Sequence, residues 1–308
     1  MTAPRLTLLA ATRNGEAVLG RTLASIAAAE SPGTPWQMVV VDNGSTDGTG
    51  AILNAYAARL PLRIVSQPTP GKNAALNAGL AACDGELIVM VDDDVLVDAQ
   101  FLRTWSHYLV EGTDYALLGG RISPEFEVPP PRWLLRDRRH HARMFGARDL
   151  PEGPTEPGEI YGGNMAVRRT VFDAGFRFDE AIGPNRTVRS YRMGSETEFL
   201  RRVGRSGAAA WFARGPLVHH IVREHQWSEQ AWSERGYRNG RGRAHLMVKE
   251  GRQMRPPRAT LVDHLAALSP FAGHRRPALG AIHLARGFAD EIAEARAIPG
   301  SGEDPRNS

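Results

Sequence analysis

Cysteine is nearly absent from this 308-residue sequence, since Cys83 is the only one. No disulfide can therefore form within the chain. Such scarcity is typical of proteins from reducing compartments. We interpret Cys83 as a small buried apolar residue rather than a nucleophile, because free cysteines commonly behave as small hydrophobes.

Long hydrophobic runs are also missing. The apolar run Leu87 to Val91 is far shorter than the roughly 20 residues that a membrane-spanning helix needs. The first residues, Met1 to Ala11, lack the basic region followed by a long apolar one that marks a signal peptide. We therefore expect a cytoplasmic protein, and peripheral contact with the inner face of the membrane stays open.

Positive charge is present in excess and is unevenly placed, with a net charge of +4. Residues 132–148 hold six arginines against one aspartate, and residues 223–258 hold nine basic residues against four glutamates. Either stretch is a solvated face or a contact for an anionic partner such as nucleic acid, a phospholipid surface or a phosphorylated substrate. Nucleic acid is disfavoured, because no aromatic residues interleave with the basic ones on a recognisable motif.

Short apolar runs alternate with helical patterns in the first half of the chain. Strands are predicted at Leu6 to Ala10, Met38 to Val41, Arg63 to Val65 and Leu87 to Val91. A helix after the second strand is predicted to face the core through Ala51, Ile52, Ala55 and Tyr56. This alternation predicts an α/β fold with a mostly parallel sheet flanked by helices. Ligands of such sheets bind at the carboxyl ends of the strands.

The second half of the sequence has a looser pattern that becomes helical towards its end. Residues 194–206 and the chain from Gln230 onwards have helical spacing, and Leu261, Leu265 and Leu268 form one apolar stripe. We expect a C-terminal helical extension over residues 251–308, with a disordered tail from Pro299.

Three consecutive carboxylates, Asp92, Asp93 and Asp94, directly follow the strand Leu87 to Val91. They repel one another and are costly beside a buried strand unless a positive charge is near. Their hard oxygen ligands suit Mg²⁺ or Mn²⁺, which commonly take diphosphate as a further ligand. The alternative is an acidic loop or a helix cap.

Residues suited to ligand binding also lie at the ends of three other predicted elements. Asp42 ends the second strand, where a carboxylate can accept hydrogen bonds from a base or a ribose, or can simply cap a turn. Thr12 and Arg13 end the first strand, where Thr12 is also a candidate helix cap. Gly71 and Lys72 precede a helix, a pattern suited to diphosphate contact.

In combination these motifs resemble the nucleotide-binding half of glycosyltransferase family 2, which has the GT-A (Rossmann-like) fold. The family typically shows a strand with Thr-x-Asn, then Val-Asp-(Asp/Asn)-Gly-Ser-x-Asp, then Gly-Lys-x-x-Ala-Leu-Asn-x-Gly, then a strand ending in Asp-x-Asp. All four occur here in that order within residues 6–98.

The resemblance implies roles for individual residues. The nucleotide-sugar would be bound by Thr12, Arg13, Glu16, Asp42, Lys72, Asp92 and Asp93. Arg13 stands where the family often has an aromatic residue, and Asp94 would be the direct metal ligand. The stretch Val218 to Val222 resembles a segment in which some members place a histidine as a further metal ligand, which selects His220 over His219.

A second resemblance lies in Gly194-Ser195-Glu196-Thr197-Glu198-Phe199, which is similar to the family's Gly-Glu-Asp-x-(Asp/Glu)-Phe helix start. The family's aspartate there is the general base, and Glu196 takes its position. Glu198 is the alternative base, and a first-turn glutamate that favours the helix dipole is the structural alternative for either residue.

The resemblance therefore implies an inverting, metal-dependent glycosyltransferase. Its donor would be a nucleotide diphosphate-sugar, with uridine the commonest base of the family, and its acceptor a saccharide or a lipid-linked molecule. Residues 1–125 would form the donor half and residues 126–250 the acceptor and catalytic half. Alternatives are a catalytically inactive nucleotide-sugar-binding module and a sugar-phosphate nucleotidyltransferase, although the latter usually has a Gly-rich loop that Ala11 to Gly15 lacks.

Overall fold

A parallel four-stranded sheet forms the first part of the computed structural model, which describes residues 5–110, 115–136, 138–185, 190–252 and 256–297. The spatial order of its strands is β3-β2-β1-β4. The strands are β1 (Leu6–Thr12), β2 (Trp36–Asp42), β3 (Leu62–Ser66) and β4 (Leu87–Val91). The helices between them are α1 (Leu19–Ala28), α2 (Thr49–Ala57) and α3 (Lys72–Leu80).

The sheet continues beyond β4 with mixed strand directions. Its further strands are β5 (Val95–Val97), β6 (Leu117–Phe126), β7 (Gly153–Thr155), β8 (Asn164–Arg168) and β9 (Ala210–Val222). The order runs β4-β8-β6-β9-β5, with β7 also on β9. Among the described residues of this part, β6 and β9 form the parallel pair, whereas β8 is antiparallel to both β4 and β6. The expected mostly parallel sheet thus describes the first half of the chain, and the second half is mixed.

Helices cover the second part of the sheet and form the C-terminal extension. They are α4 (Phe101–Val110), α5 (Arg132–Arg136), α6 (Arg138–Phe145), α7 (Arg169–Asp173), α8 (Ser195–Arg205), α9 (Glu229–Lys249), α10 (Leu261–Ala267) and α11 (Ala272–Ala297). The tail predicted from Pro299 lies outside the described residues. Among the described helices, none combines the length and the apolar character needed to cross a bilayer.

Two apolar layers hold the sheet from its opposite faces. Alternate residues of β2 divide between them, so that Val40 packs on the side of α1 and α4 whereas Val39 packs on the side of α3 and α8. Trp105 of α4 and Phe199 of α8 are fully buried in these two layers. This double coverage explains why the strands are continuously apolar in sequence.

The long helices α9 and α11 pack against each other at close range. A Cβ atom on Gly240 would lie 2.8 Å from the backbone nitrogen of Phe288, so only glycine permits this approach. Beside this crossing, the Nε of Arg241 donates to Glu291 at 2.8 Å. Helix α11 is therefore fixed to α9 by a close glycine contact and a buried ion pair.

Candidate active site

A cavity of about 540 Å³ opens where the carboxyl ends of β1 and β4 meet α8 and α9. Its walls include Lys72, Asp92, Asp93, Asp94, Glu196 and His220. These residues come from four distant parts of the sequence, and the strand order places them together. This agrees with the rule that open α/β sheets bind ligands beyond the carboxyl ends of their strands.

Lys72 joins two carboxylates at the edge of this cavity. Its Nζ lies 2.7 Å from Oδ1 of Asp92 and 3.0 Å from Oε1 of Glu196. Gly71, with φ of +144°, directs the chain into α3 just before Lys72. Lys72 thereby neutralises part of the negative charge of the two carboxylates, whose side chains are partly buried.

The contacts among Lys72, Asp92 and Glu196 determine how these groups ionise. Burial lowers the pKa of Lys72, but Asp92 and Glu196 outweigh burial and hold this pKa well above its ordinary value. Burial raises the pKa of Glu196, and Lys72 outweighs it, so this pKa lies below its ordinary value of 4.5. At neutral pH, Glu196 is therefore a carboxylate that is able to accept a proton.

A glycine pair lets the backbone approach both acids. A Cβ atom on Gly162 would lie 2.6 Å from Cδ of Glu196, and one on Gly163 would lie 3.2 Å from Oδ2 of Asp92. The following residue, Asn164, donates its Nδ2 to the carbonyl of Arg121 at 2.9 Å and so ties β8 to β6. The Gly162-Gly163 bend thus forms the wall between Asp92 and Glu196.

Asp93 faces the end of β1. Its Oδ2 accepts the hydroxyl of Thr12 at 2.5 Å. Burial, together with the carboxylates of Asp94 and Asp92, raises the pKa of Asp93 to about 6 in spite of this hydrogen bond. Thr12 itself is buried beneath the cavity, so its side chain supports Asp93.

Asp94 is paired with His220 across the strands β5 and β9. Oδ2 of Asp94 lies 3.4 Å from Nε2 of His220, and Nδ1 of His220 lies 2.8 Å from the carbonyl oxygen of Phe145. Burial lowers the pKa of His220, but the hydrogen bond and charge of Asp94 raise it above its ordinary value. His219 alternates to the opposite face of the strand and does not line the cavity.

The remaining predicted residues lie on the adjoining loops after β1 and β2. Asp42 accepts the backbone N–H of Ser45 at 2.9 Å, and Glu16 accepts that of Gly48 at 3.1 Å. Arg13 is half-buried, and its Nε has no hydrogen-bond partner among the described residues. The structure therefore groups Arg13, Glu16 and Asp42 beside the cavity rather than in its wall.

Glu198, the alternative to Glu196, lies away from the cavity. Its carboxylate accepts from Nε of Arg202 at 2.9 Å and from Nζ of Lys249 at 2.8 Å. Its side chain is only 1 % exposed. Glu198 thus fixes α8 to α9, while Glu196 on the other side of the helix faces the cavity.

Helix α9 belongs to the basic stretch 223–258, which the sequence predicts to be either a solvated face or a contact for an anionic partner. The sequence did not predict that Asn239 and Gln226 of this stretch would line the cavity. Arg235 and Asn239 line it from one face of α9, four residues apart, and Gln226 lines it from the preceding 3-10 turn. Burial lowers the pKa of Arg235, and the charges of Tyr191 and Tyr161 offset only part of this effect. The four-residue spacing of Arg235 and Asn239 indicates that both lie on one face of a helix. Other arginines of this stretch have similar helical spacing, so the spacing alone does not identify the residues that line the cavity.

The sequence matches the family described as Glycosyl transferase family 2 over residues 7–176, which is more than half of the chain. Probable glycosyltransferase YdaM of Bacillus subtilis (strain 168) is 25 % identical over 209 residues, covering 64 % of this chain and 49 % of its own length. Beta-monoglucosyldiacylglycerol synthase of Synechocystis sp. is 33 % identical over 118 residues, covering 37 % of this chain and 25 % of its own length. The chain thus spans about a quarter to a half of these relatives.

Solved structures share the fold. TarS 1-349 of S. aureus, in complex with UDP-GlcNAc, has a TM-score of 0.54 at 19 % identity, covering 79 % of this chain and 66 % of TarS 1-349. The mannosyltransferase PcManGT of Pyrobaculum calidifontis, in complex with GDP-Man and Mn²⁺, has a TM-score of 0.56 at 18 % identity, covering 96 % of this chain and 76 % of that one. With the family match and the architecture of the sheet in agreement, the chain belongs to glycosyltransferase family 2 and has the GT-A fold.

Proposed function

We propose that this protein is an inverting, metal-dependent glycosyltransferase that moves a sugar from a nucleotide diphosphate-sugar to an acceptor hydroxyl. The observation that carries the proposal is the position of Glu196 in the wall of the cavity, 3.0 Å from Lys72 and across the glycine bend from Asp92. The carboxylate of Glu196, the ammonium group of Lys72 and the carboxylates of Asp92, Asp93 and Asp94 thus line the same cavity.

The nucleotide of the donor is proposed to lie on the loops after β1 and β2. Arg13, Glu16 and Asp42 are grouped there, and Arg13 has a buried Nε without a partner among the described residues. TarS was solved with UDP-GlcNAc and PcManGT with GDP-Man, so the fold accommodates either base. We favour a UDP-sugar, because uridine is the commonest base in the family.

A divalent metal, Mn²⁺ or Mg²⁺, is proposed to bind at Asp94 and His220. Oδ2 of Asp94 and Nε2 of His220 are 3.4 Å apart, and the Phe145 carbonyl near Nδ1 orients the imidazole so that Nε2 faces the carboxylate. Within the described residues, no group of three or more His, Cys, Asp or Glu side chains could hold a metal alone. Two protein ligands fit an ion that completes its shell with diphosphate oxygens and water. When bound, the metal would neutralise the charge of the diphosphate leaving group.

Glu196 is proposed to act as the general base. The acceptor hydroxyl gives its proton to the Glu196 carboxylate while its oxygen forms a bond to the anomeric carbon. The bond from that carbon to the diphosphate oxygen breaks, and the nucleoside diphosphate leaves with the bonding electrons. A single displacement inverts the configuration at the anomeric carbon.

The acceptor is proposed to occupy the side of the cavity lined by α9. Arg235, Asn239 and Gln226 supply hydrogen-bond donors there, which suits a saccharide or a phosphate-bearing, lipid-linked acceptor. On this assignment residues 1–125 bind the donor, residues 126–250 bind the acceptor and supply the base, and residues 251–308 are the C-terminal extension with its tail. The site would work in the cytoplasm, at the inner face of the membrane where the acceptor is lipid-linked.

Calorimetric titration with UDP, GDP and dTDP, with and without Mn²⁺, tests the donor site. We expect one nucleotide to bind only with metal, and Asp94→Ala to weaken this binding by about 100-fold. Asp84→Ala, on an exposed carboxylate away from the cavity, is the matched control and should bind as the wild type does. If none of the nucleotides binds to the wild type, the transferase assignment is wrong.

A further inference from the structure

Five large apolar side chains within residues 261–271 face solvent, and we call them the α10 patch. Leu261, Val262, Leu265, Leu268 and Phe271 are 75 %, 73 %, 61 %, 82 % and 68 % exposed. The other exposed large apolar residues in the described part of the chain, such as Ile64 at 38 % and Val248 at 49 %, are single residues on other elements. Contiguous apolar surface of this kind marks an interaction site more often than isolated residues do.

The orientation of α10 is fixed with this face outward. Leu261, Val262, Leu265 and Leu268 share one side of the helix, while the half-buried Asp263, Ala266 and Ala267 lie on the opposite side. Thr260 caps the helix, since its hydroxyl accepts the N–H of Asp263 and the Asp263 carboxylate accepts the N–H of Thr260. The fold thus partly covers the smaller residues of α10 and leaves its large apolar residues exposed.

Basic residues are frequent in the segment that carries the α10 patch. Residues 252–276 contain five arginines and a single acid, Asp263, whose carboxylate is used in the helix cap. Two of these arginines, Arg252 and Arg275, are paired with Glu250 and Glu229. The turn into α11 lies against α5, because a Cβ atom on Gly273 would be 2.9 Å from Cβ of Trp133. On α5, Arg132 and Arg136 are exposed next to Leu135, which is 52 % exposed.

We propose that the α10 patch, together with the exposed Arg132 and Arg136 of α5, docks on an anionic phospholipid bilayer. The apolar face would enter the boundary between head groups and acyl chains, and the arginines would meet lipid phosphates. The chain's own residues 298–308 offer a single large apolar residue, Ile298, which is too little to cover five. A symmetric second copy would bring the two arginine-rich surfaces together, and like charges oppose that contact.

Docking would place the candidate active site close to lipid. Helix α6 follows α5 directly and contributes Ala142, Met144 and Phe145 to the cavity wall. This consequence for the acceptor rests on the proposed function, whereas docking itself depends only on the surface. Failure of vesicle binding would therefore leave the transferase proposal untouched.

Flotation of the full chain with lipid vesicles tests the proposal. We expect binding to phosphatidylcholine vesicles that contain about 30 % phosphatidylglycerol, and about tenfold less binding to pure phosphatidylcholine. The variant Leu265→Ser/Leu268→Ser should lose about tenfold in vesicle binding, as should Arg132→Gln/Arg136→Gln. Ile64→Ser, at an exposed apolar residue far from the patch, is the control and should bind like the wild type.

Three results would overturn the proposal. The first is no wild-type binding to anionic vesicles, and the second is unchanged binding of the Leu265→Ser/Leu268→Ser variant with a native circular dichroism spectrum. The third is a dimer, detected by light scattering without lipid, that this variant converts to monomer, because a second copy would then cover the patch.

Discussion

The ammonium group of Lys72, at the first residue of α3, lies 3.0 Å from a carboxylate oxygen of Glu196 in the first turn of α8. This contact joins the two halves of the candidate site across 124 residues of sequence. It sets the ionisation of the proposed base, because Lys72 keeps the pKa of Glu196 below its ordinary value.

Replacing Lys72 with Met should raise the pKa of Glu196, since burial then acts on the carboxylate without the neighbouring cation. The acid limb of the pH–kcat/KM profile should move to higher pH, and the maximal rate should fall by about 10- to 100-fold. Lys249→Met is the matched control, because Lys249 pairs with Glu198 and Asp179 away from the cavity. An unshifted acid limb in Lys72→Met would contradict the role given to this contact.

Glu196→Gln should reduce sugar transfer by about 1,000-fold or more, because an amide cannot take the acceptor proton. Its calorimetric affinity for the nucleotide should stay near that of the wild type. Glu198→Gln should instead lower the melting temperature, since Arg202 and Lys249 lose a buried partner, and leave the activity of folded protein nearly intact. The reverse outcome would exchange the roles of the two glutamates.

Gly162→Ala should impair transfer by about 10- to 100-fold, because the added methyl would lie 2.6 Å from Cδ of Glu196 and displace the carboxylate. Gly50→Ala is the control, as its Cβ would have nothing within 4 Å and it lies inside α2. That change should leave activity unaltered and raise stability by about 0.5–1 kcal/mol. Equal activity of both variants would show that the glycine bend does not position Glu196.

Glu291 should make the protein sensitive to acid. Burial raises the pKa of this carboxyl, but hydrogen bonds from His245, Arg241 and Arg192 outweigh burial and lower the pKa from 4.5 to about 2. A lowered folded-state pKa stabilises the fold above pH 4.5, and this stabilisation is lost as pH falls from there towards about 2. We expect a loss of about 3 kcal/mol over this window in denaturant titrations.

The variant Glu291→Gln tests this assignment. It should be less stable than the wild type by about 3 kcal/mol at neutral pH, because Arg241 and Arg192 lose the buried carboxylate that they share, although Arg241 keeps its pair with Glu294. Its stability should also depend less on pH between pH 4.5 and pH 2. Glu234→Gln, which disrupts a partly exposed pair with Arg238, should cost less than about 1 kcal/mol. An unchanged pH dependence in Glu291→Gln would contradict the assignment.

The parallel half of the fold was predictable from sequence because its strands are buried on both faces. Strand β4 was predicted at its observed bounds, Leu87–Val91. A short, continuous apolar run bounded by polar residues is typical of a strand that is buried on both faces. The inner face of α2 was predicted correctly at Ile52 and Tyr56, which pack against the core, and incorrectly at Ala51 and Ala55. Ala51 and Ala55 are exposed and Leu53 is buried, because small alanines fit either face and carry little periodic signal.

The mixed half of the fold required long-range information. The strand β8 lies between β4 and β6, and nothing in Asn164 to Arg168 specifies either neighbour or their antiparallel direction. The candidate site also could be predicted only in part. Motifs located Asp94 and Glu196, whereas the position of Arg235 in the cavity wall depends on how α9 crosses the sheet.

The anomeric configuration of the product tests the central claim most directly. Proton NMR would follow the sugar first released when the wild type acts slowly on an α-linked nucleotide sugar with water as acceptor. We predict that the β anomer appears first, and that Glu196→Gln releases no sugar above background. Release of the α anomer first, or undiminished release by Glu196→Gln, would contradict inversion by this carboxylate.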